Sequence, residues 1–170
     1  QQLRQAGYTD DRIILIVEDD IADNVSNPNK GVIQVTIGGN NVYENVEIDY
    51  RMSSLKAKDI LAILNGEKSE TLPTVIESTE NDNLFVFWSG HGVPGAMCWD
   101  EEPYAMTGDD LSTVFKDMNL KRRYRKLLMM VEACFSGGVM EQCEGIPGML
   151  FITAANGDET SKADVFNGEM

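Results

Sequence analysis

Leu127-Leu128-Met129-Met130-Val131 runs without a polar break into Glu132-Ala133-Cys134-Phe135-Ser136-Gly137-Gly138. A short apolar run closed by a glycine turn predicts a strand buried on both faces, the kind a parallel sheet uses. Three other segments read the same way: Ile13-Ile14-Leu15-Ile16-Val17, Leu84-Phe85-Val86-Phe87-Trp88 leading into Ser89-Gly90-His91-Gly92, and residues 149–154. Helical patterns lie between them. Ser53 is expected to cap a helix with Leu55, Ile60, Leu61, Ile63 and Leu64 on one side and Gly66 just past its end. Thr107 is expected to cap another through Leu111, Val114, Phe115 and Met118. Strands alternating with helices predict a doubly wound α/β sheet.

The remaining stretches read as excursions. Residues 32–37 and 42–48 around Gly38-Gly39-Asn40-Asn41 predict a hairpin, 67–83 a polar loop, the segment from Ala96 to Trp99 a small hairpin, and 121–126 a basic turn. The chain opens on what reads as the end of a helix closed by Gly7 and stops in a turn-like stretch at Phe166-Asn167-Gly168-Glu169-Met170. Both ends read as cut from something longer, so the lack of a targeting signal says nothing. Residues 1–170 read as one domain, since neither an internal repeat nor a linker composition is visible.

Composition narrows the function. Fourteen basic against 28 acidic residues leave a net charge of −14, which repels phosphate backbones and argues against a nucleic-acid partner. The same excess of carboxylate fits work in mild acid and fits plain solubility equally well. The longest apolar runs fall far short of the ~18–20 residues a membrane-spanning helix needs. Cys98, Cys134 and Cys143 make an odd count without a C-x-x-C pair, so a full disulfide framework is excluded. A Cys3His zinc site with the single histidine, His91, would have spacings that match no standard ligand pattern, and the expectation is no metal and no cofactor.

Ligands of open α/β sheets bind outside the carboxyl ends of the strands, and His91 and Cys134 both follow such ends. They are 43 residues apart, room for one crossover between neighbouring strands. A thiol becomes a good nucleophile as thiolate, and an adjacent imidazole can take its proton. The backbone N–H groups of Gly92 and Cys134 could then bind the oxyanion of a tetrahedral intermediate. A lone histidine or a strand-end cysteine is by itself more often a packing residue; the shared placement is the informative feature. Cys98 and Cys143 fit structural roles better. Glu132 could line the pocket and receive a substrate amide NH2, or be a buried carboxylate satisfied by its own neighbours. The acidic groups at 19–20, 100–102 and 109–110 lack a calcium-loop pattern and read as solvated turns and helix starts, and Asn24-Val25-Ser26 fits a glycosylation sequon of a kind that arises often by chance.

Ser89-Gly90-His91-Gly92 and Glu132-Ala133-Cys134-Phe135-Ser136-Gly137 resemble the histidine and cysteine motifs of the legumain (asparaginyl endopeptidase) family, relatives of the caspases and of the GPI transamidase catalytic subunit. The likeness extends through Asp19-Asp20-Ile21-Ala22, Val42-Tyr43, Arg123-Tyr124-Arg125-Lys126 and Thr153-Ala154-Ala155-Asn156 in the same order. It implies a caspase-like three-layer α/β/α sandwich with a mostly parallel central sheet. It further implies a cysteine endopeptidase that cleaves peptide or protein substrates after Asn, less readily Asp, through a Cys/His dyad and a thioester acyl-enzyme. Cys134 is then the nucleophile, His91 the acid/base, Gly92 and Cys134 the oxyanion hole, and Glu132, Thr160 and Ser161 the substrate-binding residues. The family points to a secreted, periplasmic or lysosome-like compartment and places an assisting Asn and basic pocket residues before Gln1. Gly90 stands where legumain has Asp, which resembles the transamidase subunit and keeps a transamidase reading open. A non-catalytic caspase-like binding module is the third reading.

Overall fold

A computed structural model describes residues 2–98 and 105–162. Trp99, the acidic group at 100–102 and the stretch at 166–170 lie outside the described residues. The chain divides into two compact units, one over residues 1–55 and one from Lys56 onward.

The first unit has little regular structure. After a short helical turn, α1 (Gln2–Gln5), only β1 (Ile16–Val17) and β2 (Tyr50–Arg51) pair, in parallel. The expected strand at 13–17 is thus shortened to two residues, and all five of its side chains are half-buried rather than buried on both faces. The expected hairpin over 32–48 does not form. Its apolar positions gain no face to cover, with Val35 and Ile37 both exposed. One backbone bond, Val42 N–H to the Ile33 carbonyl at 2.8 Å, joins its two arms. The Asn41 side chain takes the place of a ladder, its Oδ1 accepting the N–H groups of Ile33 at 3.0 Å and Tyr43 at 3.1 Å, a local bond that competes with sheet pairing. Polar contacts hold the unit. Asp19 accepts from the Tyr43 hydroxyl at 2.6 Å and pairs with Arg51 at 2.9 Å, and its carboxylate raises the Tyr43 phenol above its ordinary value.

The second unit carries the sheet. Helix α2 (Ala57–Asn65) begins later than the Ser53 cap implies, because Ser53 lies in a 3₁₀ turn and gives its N–H to Glu18. Asp59 instead reaches back to the Lys56 N–H at 2.9 Å, and Gly66 closes the helix in the left-handed conformation as expected. Strand β3 (Asn83–Ser89) leads into an antiparallel three-stranded sheet of β4 (His91–Val93), β5 (Ala96–Cys98) and β6 (Ala105–Thr107), larger than the small hairpin expected there. Helix α3 (Gly108–Leu120) follows, opened as predicted by Thr107, whose hydroxyl accepts the Asp110 N–H while Asp110 accepts the Thr107 N–H. Then come β7 (Lys126–Glu132), α4 (Ser136–Glu141) and β8 (Met149–Thr153).

The main sheet is parallel, in the order β3-β7-β8, so this unit is a mixed α/β fold as the apolar runs imply. Its burial corrects the expectation of strands sealed on both faces. Leu127, Met129 and Val131 are buried on one face, where Phe115 of α3 packs on Phe151 of β8 with ring centroids 6.3 Å apart. Leu111, Phe115 and Met118 form the buried apolar stripe of α3, with Phe115 against the sheet. The opposite face presents Phe85, Phe87, Leu150 and Ile152, each roughly half or more exposed at 50, 53, 61 and 47%. The strands therefore alternate, and the unbroken apolar sequence hides it because both faces are apolar.

Phe115 has no exposed surface and joins α3 to the sheet, so Phe115→Ala should cost about 3–5 kcal/mol, read as a lower urea midpoint at unchanged slope.

Candidate active site

Strands β3 and β7 pair in parallel with Trp88 opposite Val131 and Ser89 opposite Glu132. Both chains therefore leave the sheet at the same level. Gly90 N–H still bonds the Glu132 carbonyl at 3.1 Å, one step beyond the ladder. His91 then enters β4 with its side chain exposed, paired across the strands with Cys98. Gly92 comes directly against the cysteine turn: a Cβ placed on it would lie 2.0 Å from the Cys134 carbonyl oxygen and 3.2 Å from the Ala133 Cβ. Only glycine permits that approach. The structure thus brings together the backbones that follow His91 and Val131, as the sequence motifs imply.

On the cysteine side, β7 ends at Glu132, Ala133 is buried and Cys134 is half-buried. Phe135 turns the chain into α4 with φ of +55°, a left-handed conformation that costs roughly 1–2 kcal/mol for a residue with a Cβ. It persists because its surroundings hold it. Phe135 N–H donates to the Glu159 carbonyl at 2.8 Å, and Gly137 N–H to the Ala155 carbonyl at 3.0 Å. Among the described residues no backbone acceptor takes the Cys134 N–H.

The segment after β8 runs along this turn. It sets the Ser161 carbonyl oxygen 3.8 Å from the Cys134 Sγ, within reach of a thiol hydrogen bond. Thr160 is exposed beside it, and Ser161 is half-buried. Glu132 is half-buried and continues the strand face of Leu128 and Met130; regular alternation stops at Ala133, so it does not fix where Cys134 points. Sequence reasoning missed Ser136. It is wholly buried, its hydroxyl donating to the Ala155 carbonyl at 3.2 Å and accepting the Ala155 N–H at 3.3 Å. A serine opening a helix is ordinarily wet, so nothing in the spacing marks this one as internal.

The other thiols differ in kind. Cys143 is 1% exposed, and burial pushes its thiol up to about 11, so it is an inert packing group near neutrality. Among the described residues no group of three or more His, Cys, Asp or Glu side chains is gathered to hold a metal ion, so the three cysteines and His91 do not converge as a zinc site. No helix among them is long and apolar enough to cross a membrane.

A histidine-bearing loop laid against a cysteine-bearing turn at the ends of adjacent parallel strands defines, in chemical class, a candidate thiol hydrolase. Comparison with known proteins narrows the class. The Peptidase C13 family profile matches residues 1–170. The chain is 36% identical over 167 residues to a vacuolar-processing enzyme of Vicia sativa, covering 95% of this chain and 33% of that protein. It is 36% identical over 163 residues to a hemoglobinase of Schistosoma mansoni, covering 94% of this chain and 37% of that one, and 31% identical over 173 residues to legumain of Rattus norvegicus, covering 99% and 39%. The chain belongs to the Peptidase C13 family, the legumain and vacuolar-processing-enzyme family of cysteine peptidases. It spans about a third of the length of the curated relatives it matches.

The environment of Cys143 has a measurable consequence. With the folded thiol pushed up to about 11 against an unfolded value of ~8.5, the unfolded state releases its proton first as pH rises, so stability falls across that interval. Wild-type protein should therefore lose more stability between about pH 8.5 and 11 than Cys143→Ala, measured by urea unfolding at each pH. At pH 8 iodoacetamide should leave Cys143 unmodified until denaturant is added.

Proposed function

We propose that this chain forms the catalytic part of a cysteine endopeptidase that cleaves peptide bonds after Asn, and less readily after Asp. The observation that carries the proposal is the contact of Gly92 with the Cys134 carbonyl at the level where β3 and β7 end together. Membership of the Peptidase C13 family supports it. In this reading His91 takes the Cys134 proton, and the sulfur attacks the scissile carbonyl carbon. The carbonyl oxygen becomes an oxyanion held by the N–H groups of Gly92 and Cys134; losing one such donor typically costs ~10²–10³ in rate. His91 returns the proton to the leaving amine as the carbon–nitrogen bond breaks, leaving a thioester on Cys134. Water, deprotonated by the same imidazole, cleaves the thioester and restores the thiol.

Glu132, Thr160 and Ser161 line the pocket for the residue before the cleaved bond. Glu132 stands one position beyond the buried end of β7, and Ser161 lies beside the sulfur. A carboxylate accepts the amide NH2 of an Asn side chain and repels the carboxylate of Asp, so Asp fits well only when protonated. No metal or cofactor enters the reaction. The surrounding architecture in this reading is the caspase-like three-layer sandwich: α3 already covers one face of the parallel sheet, and the apolar character of Phe85, Phe87, Leu150 and Ile152 suits a second helical layer.

The full-length protein should hydrolyse peptides with Asn at the cleaved position in preference to Asp, Arg or Lys, unaffected by chelator. Cys134→Ala should reduce turnover at least ~10³-fold, and a Cys134→Ala protein with full activity ends the proposal. Cleavage after Asp should rise relative to Asn as pH falls toward ~4, where a free Asp side chain protonates. Glu132→Gln, which removes the repelling charge, should flatten that dependence; an Asn-to-Asp ratio independent of both pH and Glu132 would assign the preference to other groups.

A further inference from the structure

We infer that Ser136 is a positioning residue for Cys134, its buried hydroxyl tying the nucleophile turn to the segment that follows β8. The inference rests on the reading of Cys134 as nucleophile and names a residue that reading does not require. Ser136 is wholly buried, and both hydrogen-bonding capacities of its hydroxyl are spent on one residue, Ala155, as donor at 3.2 Å and acceptor at 3.3 Å. That pair sits inside a row of cross-links between the two segments. Phe135 N–H bonds the Glu159 carbonyl on one side, and Gly137 N–H shares the Ala155 carbonyl on the other. The backbones are close enough that a Cβ on Gly137 would lie 2.9 Å from the Asn156 Cα, and one on Gly157 3.1 Å from the Gly138 Cα.

The row has two effects on the sulfur. It holds Phe135 in its left-handed turn, which sets the direction in which Cys134 leaves β7. It also fixes where the Ser161 carbonyl stands, 3.8 Å from the Cys134 Sγ. A carbonyl oxygen at that place accepts from the thiol and so helps to hold the sulfur in one orientation. Loosening the clamp should therefore blur the placement of the sulfur against the substrate carbonyl. A buried hydroxyl that merely satisfies a helix end has no such effect.

The test uses the full-length protein with Ser136→Ala and Ser136→Thr. Turnover of an Asn peptide is expressed per active site, counted by covalent thiol titration, so that a smaller folded fraction drops out. KM for the same peptide, measured beside kcat, separates placement of the sulfur from binding of the substrate. Ser136→Ala should lower kcat per titrated site by about 10- to 100-fold with KM little changed, since misplacement by ~1 Å has effects of that order. Ser136→Thr, which keeps the hydroxyl, should restore kcat. A per-site kcat unchanged in Ser136→Ala overturns the inference, as does a loss confined to KM. Where Ser136→Ala does not fold, Gly157→Ala separates the same two segments from the other side with the hydroxyl in place, and the same two readouts decide. If Cys134→Ala remains active the nucleophile reading itself has failed; if that variant is dead while Ser136→Ala behaves as wild type, only the clamp has.

Discussion

The parallel register of β3 on β7 is the constraint on which the site depends. From Asn83 opposite Lys126 to Ser89 opposite Glu132 the ladder is continuous, so both strands finish at one level. The chain that follows each must then turn in the same small volume. What pins the register is burial on one face. Leu127, Met129 and Val131 face α3, and a slip by one residue would turn all three away from it. A slip would also part Gly92 from the Cys134 carbonyl it now lies against.

Close approach has a cost that the local sequence is built to meet. At Gly92 even a methyl group would collide with the Cys134 carbonyl. At Phe135 the chain accepts a left-handed residue, and the bonds to Glu159 and Ala155 hold it there. The cysteine turn is thus stiff without belonging to the sheet. Cys134 is half-buried at the turn, while Cys143 is sealed into the core, where burial raises its thiol. Two cysteines nine positions apart in sequence thus meet different surroundings.

Much of this was legible in the residues themselves. The strands at 83–89, 126–132 and 149–153, the capping of α3 by Thr107 and the closing of α2 by Gly66 follow from apolar run length and cap chemistry, which are local. The first 55 residues are less legible. Val35 and Ile37 look like strand positions, yet a strand is stable only where a second surface covers it, and here the Asn41 side chain captured the backbone groups instead. Nor does an apolar run reveal how many of its faces are covered, which is why the exposure of Phe85 and Phe87 is not legible in the sequence.

The sequence by itself determined the chemical inventory: one histidine, a cysteine entering a glycine turn, and the apolar segments that place both at strand ends, because composition and periodicity act over a few residues. Only the tertiary structure decided that Gly92 touches the Cys134 carbonyl, that the Ser161 carbonyl reaches the sulfur and that Ser136 is internal. Those facts join residues up to 42 positions apart, and no local preference of the chain specifies a contact across such a distance; it is set by strand register and by the packing of α3 on the sheet.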